Sequence, residues 1–154
     1  MKIEQLAEEA EKLNLTLAPK MEEQLCTYAC LLKEWNEKIY LTAITEPDQI
    51  AEKHFYDCML ALHAHLPQGN LCDVGSGAGF PGLVFKILLP DLHVTLLEPT
   101  QKKGVFLQET VNQLGLRNVE VVCERAEDYV KTHREIFDTV TARAVASLNV
   151  LAEL

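Results

Sequence analysis

The 154-residue sequence predicts an α/β protein in which a helical amino-terminal region precedes a parallel sheet. Apolar residues recur at helical spacing over the first 68 residues or so. From Asn70 onward, short apolar runs alternate with amphipathic helical segments, which is the pattern of strand–helix–strand units. A hydrophobic fraction of 48% supplies enough apolar side chains for one globular core.

Residues 1–68 form the helical lead of this prediction, which contains three helices. The first has one apolar face, made of Ile3, Leu6, Ala7, Ala10 and Leu13. Pro19 and Pro47 mark the starts of the second and third helices, because proline is favoured in a first helical turn. Residues 36–44 show no regular period and are predicted to form an irregular connection.

Residues 69–154 form the predicted sheet region. Its strands are predicted at residues 71–74, 93–97, 119–123 and 137–142, and its helices at residues 80–89, 101–114 and 126–132. A further helix is predicted to begin at Ser147. Four strands separated by helices imply a parallel sheet with helices on its faces.

Charge and hydropathy narrow the class of protein. The formal net charge of −9 argues against binding of nucleic acid through a broad basic face. No apolar run approaches the length of a membrane helix, and the mixed, charged amino terminus does not resemble a secretory signal. We therefore expect a cytoplasmic protein without a membrane partner.

The five cysteines predict free thiols rather than disulfides or a metal site. Their number is odd, and Cys72 and Cys123 stand in apolar stretches that are predicted to be core strands. Cys26 and Cys30 can share one helix face, but a zinc site needs two more ligands. No metal is expected.

The most informative segment is a glycine-rich stretch, Asp-Val-Gly-Ser-Gly-Ala-Gly, at residues 73–79. It follows a predicted strand and precedes a predicted helix, where such loops bind ligands. The dinucleotide fingerprint requires glycine at the position of Phe80, and the carboxylate of Asp73 would repel a pyrophosphate. S-adenosylmethionine, which carries an ammonium and a sulfonium, fits better, with Gly75 and Gly77 allowing its close approach.

Two further acidic positions follow the next strands. Glu98 ends the second predicted strand, where a carboxylate can accept hydrogen bonds from both hydroxyls of a ribose. An isolated glutamate there would be a solvated strand end, but the preceding glycine loop favours ribose binding. Ala126 and Glu127 follow the third strand, where a backbone N–H and a carboxylate can recognise adenine. Equally, they can be an ordinary helix start with a favourable charge, and spacing alone leaves both interpretations open.

Residues 73–82, Asp-Val-Gly-Ser-Gly-Ala-Gly-Phe-Pro-Gly, resemble the cofactor loop of the glucose-inhibited division protein B family. These bacterial methyltransferases modify N7 of a guanosine in small-subunit ribosomal RNA. Residues 32–36 with 41–44, residues 54–57 and residues 141–147 resemble other segments of the family, so the likeness runs from about residue 20 to the end. The Phe-Pro-Gly extension and the Ala-Arg-Ala segment are its most specific parts.

The resemblance implies a Rossmann-like class I methyltransferase sheet and particular site residues. It implies contacts with S-adenosylmethionine at Gly75, Phe80, Ala126, Glu127 and Arg143; without it, Arg143 would be read as a strand-end arginine paired with a surface acid. Three positions depart from the family pattern. Tyr40 stands where asparagine is usual, Cys58 replaces serine, and Glu98-Pro99 replaces Asp-Ser.

The expected reaction is methylation of guanine N7 in bacterial 16S ribosomal RNA. Because N7 carries a lone pair and no proton, no catalytic acid or base is predicted. Local basic residues, several of which follow strands, can contact RNA despite the overall charge: Lys102, Lys103, Arg125, Lys131, His133, Arg134 and Arg143.

Two other functions remain open at this stage. The same fold serves methyltransferases of small molecules, and a non-catalytic cofactor-binding module is also compatible with the sequence. A nicotinamide dehydrogenase is disfavoured by Asp73 and Phe80.

The carboxyl end of the chain predicts an incomplete sheet. Methyltransferase sheets of this class usually have seven strands, and Leu154 would lie in the helix after the fourth. The fourth strand would then be an exposed edge, which favours association. We expect weak cofactor binding by these residues alone, and poor or no methylation of ribosomal RNA.

Overall fold

The computed structural model describes residues 1–133, 136–143 and 148–152, with backbone alone for Arg143 and for the last strand. Its sheet has five strands in the order β3-β2-β1-β4-β5. They are β1 (Asn70–Val74), β2 (His93–Leu97), β3 (Val119–Val122), β4 (Thr139–Arg143) and β5 (Leu148–Ala152). Strands β1 to β4 are parallel, and β5 is antiparallel to β4. The predicted parallel α/β core is confirmed.

The lead is helical, as predicted. A 3-10 turn (Ile3–Gln5) leads into α1 (Leu6–Lys12), and α2 (Pro19–Asn36) follows. A third helical segment consists of α3 (Pro47–Ile50), a π-helical stretch (Ala51–Tyr56) and α4 (Asp57–Ala64). Both Pro19 and Pro47 occupy the first turn of their helices.

Lead and sheet share one hydrophobic core. The sheet region contributes α5 (Gly82–Leu88) and α6 (Gln101–Leu114), and α2 packs against both. The fully buried side chains of this cluster come from both halves of the chain and include Leu25, Tyr28, Phe55, Leu83 and Phe106. The lead therefore contributes directly to the stability of the sheet region, because its removal would expose apolar side chains of α5 and α6.

A buried lysine holds the turn that leads into β2. The Lys86 ammonium donates hydrogen bonds to the carbonyl oxygens of Pro90 and Leu92. Burial lowers the pKa of this lysine, and the nearby Asp91 opposes that effect. The bonds fix the start of a strand whose other end carries Glu98.

The second face of the sheet is covered by less structure. There, α7 (Ala126–Tyr129) places Tyr129 against Cys72 and Leu97. Burial raises the pKa of the Tyr129 phenol. A groove of about 640 Å³ lies along this face between β2 and β3, and Tyr129, His133, Ile136 and Phe137 also line it.

The helix predicted from Ser147 is wrong for the residues that the structure describes. Ser147 itself lies outside them, but Leu148–Ala152 is strand β5, paired with β4. A five-residue apolar run has no period that separates strand from helix, and the open edge of β4 supplies a partner. The prediction that the fourth strand is an exposed edge is therefore also wrong, since β4 lies between β1 and β5.

Two smaller predictions need correction. Cys123 is exposed rather than buried, because the edge strand β3 ends at Val122. The helix predicted from Phe80 begins at Gly82, because Phe80 and Pro81 belong to the loop. Cys72 is buried as expected, and all five cysteines are free thiols.

Candidate functional site

The glycine loop lies where the strand order reverses. The chain proceeds from β1 through β2 to β3 and then returns to β4 on the other side of β1. In open α/β sheets, ligands bind at the carboxyl ends of the strands at such a switch point. The predicted cofactor loop follows β1 at this edge.

Backbone hydrogen bonds join the loop to the end of β2. The amides of Gly75 and Ser76 both donate to the carbonyl oxygen of Leu97, at 2.8 and 3.1 Å. The hydroxyl of Ser76 donates to the carbonyl of Asp73 at 3.0 Å. The loop is therefore fixed before any ligand arrives.

The glycines of this segment have two different roles. At Gly75 (φ 67°) an added Cβ would meet nothing within 4 Å, and at Gly77 (φ 55°) only the Gly75 carbonyl at 3.9 Å. At Gly79 (φ 98°) it would collide with Tyr28 and Leu83, and at Gly82 with Leu96 at 2.6 Å. Gly75 and Gly77 therefore face open space that a ligand can occupy, whereas Gly79 and Gly82 are required by packing.

Asp73 lies beneath the loop and is completely buried. One carboxylate oxygen accepts a hydrogen bond from the amide of Gly82 at 3.1 Å, and the other from the hydroxyl of Thr141 at 3.1 Å. The side chain thus joins β1 to the start of α5 and to β4. Its charge can act on a cation bound above the loop, but the carboxylate does not reach the surface.

The ring of Phe80 belongs to an aromatic cluster rather than to the open space. Its ring stacks on His54, with centroids 4.2 Å apart and planes 14° apart, and lies 5.5 Å from Tyr28. The side chain is only 5% exposed. Of Phe80, the main chain is the part that can contact a cofactor.

Residues of the helical lead thus support the glycine loop. No sequence pattern predicts this support. The phenol of Tyr28 donates to the carbonyl of Ala78, and His54 pairs with Thr42 at 3.0 Å. In the sequence, Tyr28 is recognisable only as a position on the apolar face of the second helix, so its contact with the loop could not be predicted. His54 lies in the segment that resembles the family pattern, but its contact with Phe80 joins residues far apart in sequence.

Glu98 is buried and holds the loop by hydrogen bonds; it is not a solvated strand end. Its two carboxylate oxygens accept hydrogen bonds from the amides of Gly77 and Thr100, at 2.8 and 2.9 Å. The residue is 4% exposed. Because a carboxylate has about four acceptor positions, two remain for further donors.

The remaining predicted site residues lie at the same edge of the sheet. The Glu98 amide donates to the carbonyl of Val122 at 3.0 Å, which places the end of β3 beside that of β2. Ala126, half-buried, and Glu127, exposed, begin α7 just beyond β3. Arg143 ends β4, one residue after the pairing of Val74 with Ala142.

Substitution of Glu98 by alanine is expected to affect both the loop and the ligand. The amides of Gly77 and Thr100 lose their acceptor. Because both hydrogen bonds are only part-buried, water can replace the carboxylate in part, and the free energy of unfolding should fall by about 1–3 kcal/mol in total. Calorimetry should show weaker S-adenosylmethionine binding by about 1–3 kcal/mol. Glu124→Ala, at an exposed carboxylate beyond β3, is the matched control. An unchanged calorimetric affinity for Glu98→Ala would contradict the ribose assignment.

Two kinds of feature are absent from the described residues. In the part of the chain that the structure describes, no three His, Cys, Asp or Glu residues are grouped as metal ligands. Within the same ranges, no helix combines the length and apolar character needed to cross a membrane.

Solved structures share the fold at low sequence identity. A protein of Methanococcus maripaludis, described as an S-adenosyl-L-methionine-dependent methyltransferase, matches with a TM-score of 0.56 at 12% identity, over 76% of this chain and 49% of that one. Coclaurine N-methyltransferase matches with a TM-score of 0.53 at 16% identity, over 91% of this chain and 56% of that one. These similarities establish the Rossmann-like methyltransferase fold.

Sequence relatives are much closer. Ribosomal RNA small subunit methyltransferase G of Oceanobacillus iheyensis is 42% identical over all of this chain and 66% of its own length. The protein of that name from Clostridium perfringens is 52% identical over 82% of this chain and 54% of its own length. The chain thus spans about two thirds of the length of the relatives that it matches completely. The model of GidB, rRNA small subunit methyltransferase G, matches residues 21–154, and the chain belongs to this family.

Proposed function

We propose that the chain forms the S-adenosylmethionine-binding part of an enzyme that methylates N7 of a guanosine in bacterial 16S ribosomal RNA. The observation that carries the proposal is the open space above Gly75 and Gly77, bordered by Glu98 at the switch point of the sheet. Membership of the GidB family supports the substrate.

The residues present fit the cofactor. The backbone at Gly75 and Gly77 lets the ligand approach closely, and the free acceptor positions of Glu98 suit the hydroxyls of a ribose. The Ala126 amide and the Glu127 carboxylate suit adenine at the start of α7. When bound, S-adenosylmethionine supplies an activated methyl group on a sulfonium centre.

The charge of Asp73 favours that cation from below the loop. Because the carboxylate has no exposed surface, its role is electrostatic and positional rather than direct contact. Phe80 contributes through its main chain, while its ring keeps the loop in place.

Orientation is the main catalytic task of the protein. The lone pair of guanine N7 attacks without losing a proton, so the chain needs no catalytic acid or base. Holding two reactants in the correct orientation can lower the activation barrier by several kcal/mol, up to about 7–11 kcal/mol in favourable cases. Arg143, at the end of β4, lies at the edge where this orientation is required.

Local basic groups make RNA binding compatible with the net charge of −9. Lys102 is exposed and Lys103 half-buried at the start of α6, and Arg125 is exposed just before α7. The ion pairs found among the described residues engage other lysines, Lys12 and Lys131. Lys102, Lys103 and Arg125 are therefore available for RNA phosphates; Arg134, also predicted, lies outside the described residues.

On this proposal, the two regions of the chain have different roles. We assign residues 1–68 to support of the loop and to the substrate side, and residues 69–154 to the cofactor. The proposed enzyme works in the cytoplasm, takes the small ribosomal subunit or its RNA as substrate, and requires neither a membrane nor a metal ion.

The test is methyl transfer from labelled S-adenosylmethionine to undermethylated small ribosomal subunits, followed by mapping of the modified base. Label on guanine N7 of 16S RNA is the expected result. Transfer to small molecules alone would favour the small-molecule alternative. Cofactor binding without any transfer would favour a non-catalytic module.

Arg143→Ala is expected to reduce methyl transfer more than it reduces stability. A misplacement of the reactants by about 1 Å can slow the reaction by about 10²-fold, while the melting temperature should change little. Arg117→Ala, at an exposed position between α6 and β3, is the control. A sharp fall in melting temperature, with intact specific activity of the folded fraction, would instead show that Arg143 is structural.

A further inference from the structure

An exposed aromatic side chain projects from the turn after α2. Tyr40 is 71% exposed, the largest value among the large apolar side chains of the described residues. Its neighbours Ile39 and Leu41 are partly buried against the core. The turn thus anchors both flanking residues and leaves the tyrosine ring in solvent, where a planar partner can stack on it.

Side-chain hydrogen bonds fix this turn. The Asn36 side-chain oxygen accepts from the amides of Leu41 and Thr42, at 2.7 and 3.0 Å. The Thr42 hydroxyl then accepts from the amide of Ile44 at 3.1 Å. Tyr40 is therefore presented by an ordered backbone, which reduces the entropy that a stacking contact would cost.

The same turn is connected to the cofactor loop. Thr42 pairs with His54 at 3.0 Å, and the His54 ring stacks on Phe80 at the end of the glycine segment. These contacts link the turn that carries Tyr40 to the cofactor loop.

We propose that Tyr40 is a stacking platform for an unpaired base of the RNA substrate; this inference rests on the proposed function. Sequence-specific RNA recognition uses aromatic side chains on which exposed bases stack. Residues 37–44 contain one lysine and one glutamate, so this segment offers stacking rather than net charge. Tyr40 positions the substrate, and the cofactor site is independent of it.

The test compares Tyr40→Ala with Tyr40→Trp in binding of a protein-free 16S RNA transcript and in methylation of undermethylated subunits. Loss of one base stack should weaken RNA binding by about 5- to 150-fold in Tyr40→Ala, while tryptophan restores it. The loss should be nearly independent of salt, because no phosphate contact is removed. Calorimetric affinity for S-adenosylmethionine and the melting temperature should stay at the parent values.

Leu66→Ala, at another exposed apolar residue (52% exposed), is the control and should change none of these quantities. Parent-like RNA binding by Tyr40→Ala would overturn the proposal, as would a defect that Tyr40→Trp shares. If Tyr40→Ala lowered methylation of subunits but not binding of protein-free RNA, the proposal would also be overturned, because Tyr40 would then contact a ribosomal protein and not an RNA base. If the parent neither binds nor methylates the RNA, the proposed function fails. If the parent binds the RNA and Tyr40→Ala binds it equally well, only the stacking proposal fails.

Discussion

Gly75→Asp abolishes binding of S-adenosylmethionine while the protein stays folded. An added Cβ at Gly75 points into space with no atom within 4 Å, so the carboxylate occupies the volume assigned to the ligand. The backbone there has φ 67°, and a non-glycine residue in this region costs about 1–2 kcal/mol, less for aspartate. Gly77→Asp, at φ 55°, is expected to behave in the same way.

Calorimetry of the ligand and thermal unfolding together measure this prediction. We expect cofactor affinity to fall by at least about 100-fold, equivalent to about 3 kcal/mol. Gly115→Asp provides a close control, because Gly115 has φ 64° and equally open surroundings but ends α6 away from the loop. It should cost similar stability and leave affinity unchanged. Parent-like affinity in Gly75→Asp or Gly77→Asp would remove the site assignment.

The parts of the site that sequence predicted correctly are those with a local pattern. The segment around Gly75 and Gly77 follows one strand and precedes a helix, so its place at the carboxyl edge follows from chain order. The position of Glu98 could be predicted in the same way, because it directly follows the apolar run that forms β2. Four parallel strands followed from alternating apolar runs and helices.

Contacts between distant residues could not be predicted in this way. The burial of Asp73 depends on Thr141, and the ring of Phe80 is placed by His54 and Tyr28, all far away in sequence. Glu98 was expected either to face solvent or to bind a ribose, because spacing does not show that its oxygens accept from Gly77 and Thr100.

The end of the sheet shows the limit of periodicity. Leu148–Ala152 was predicted to be helical by analogy with the preceding strand–helix units, yet it pairs with β4 as an antiparallel strand. A short apolar run satisfies either geometry, and the partner that decides between them lies outside the run. The same applies to Cys123, whose exposure depends on how little structure covers the edge strand β3.

Asp73 permits a sharper test, because its charge and its hydrogen bonds can be removed separately. Asp73→Ala leaves the buried amide of Gly82 without this acceptor, and leaves the Thr141 hydroxyl with only its 3.5 Å contact to the Cys72 carbonyl. Each lost partner typically costs about 1–3 kcal/mol, so the free energy of unfolding should fall by about 2–6 kcal/mol. Denaturant unfolding measures this loss of free energy. The m-value, which is the dependence of the free energy on denaturant concentration, should stay unchanged.

Asp73→Asn keeps the shape and one acceptor but removes the negative charge. The amide oxygen can still accept from Gly82, and the Thr141 hydroxyl can rotate to accept from the amide group, so the stability loss should be much smaller than in Asp73→Ala. If the charge acts on a cationic ligand above the loop, calorimetric affinity for S-adenosylmethionine should still fall, by about 10-fold for an interaction of about 1.4 kcal/mol. S-adenosylhomocysteine lacks the sulfonium charge, so its affinity should fall less. Equal losses for the two ligands would show that the charge of Asp73 does not act on the sulfonium, and would leave packing or the ammonium, which both ligands carry, as the point of action.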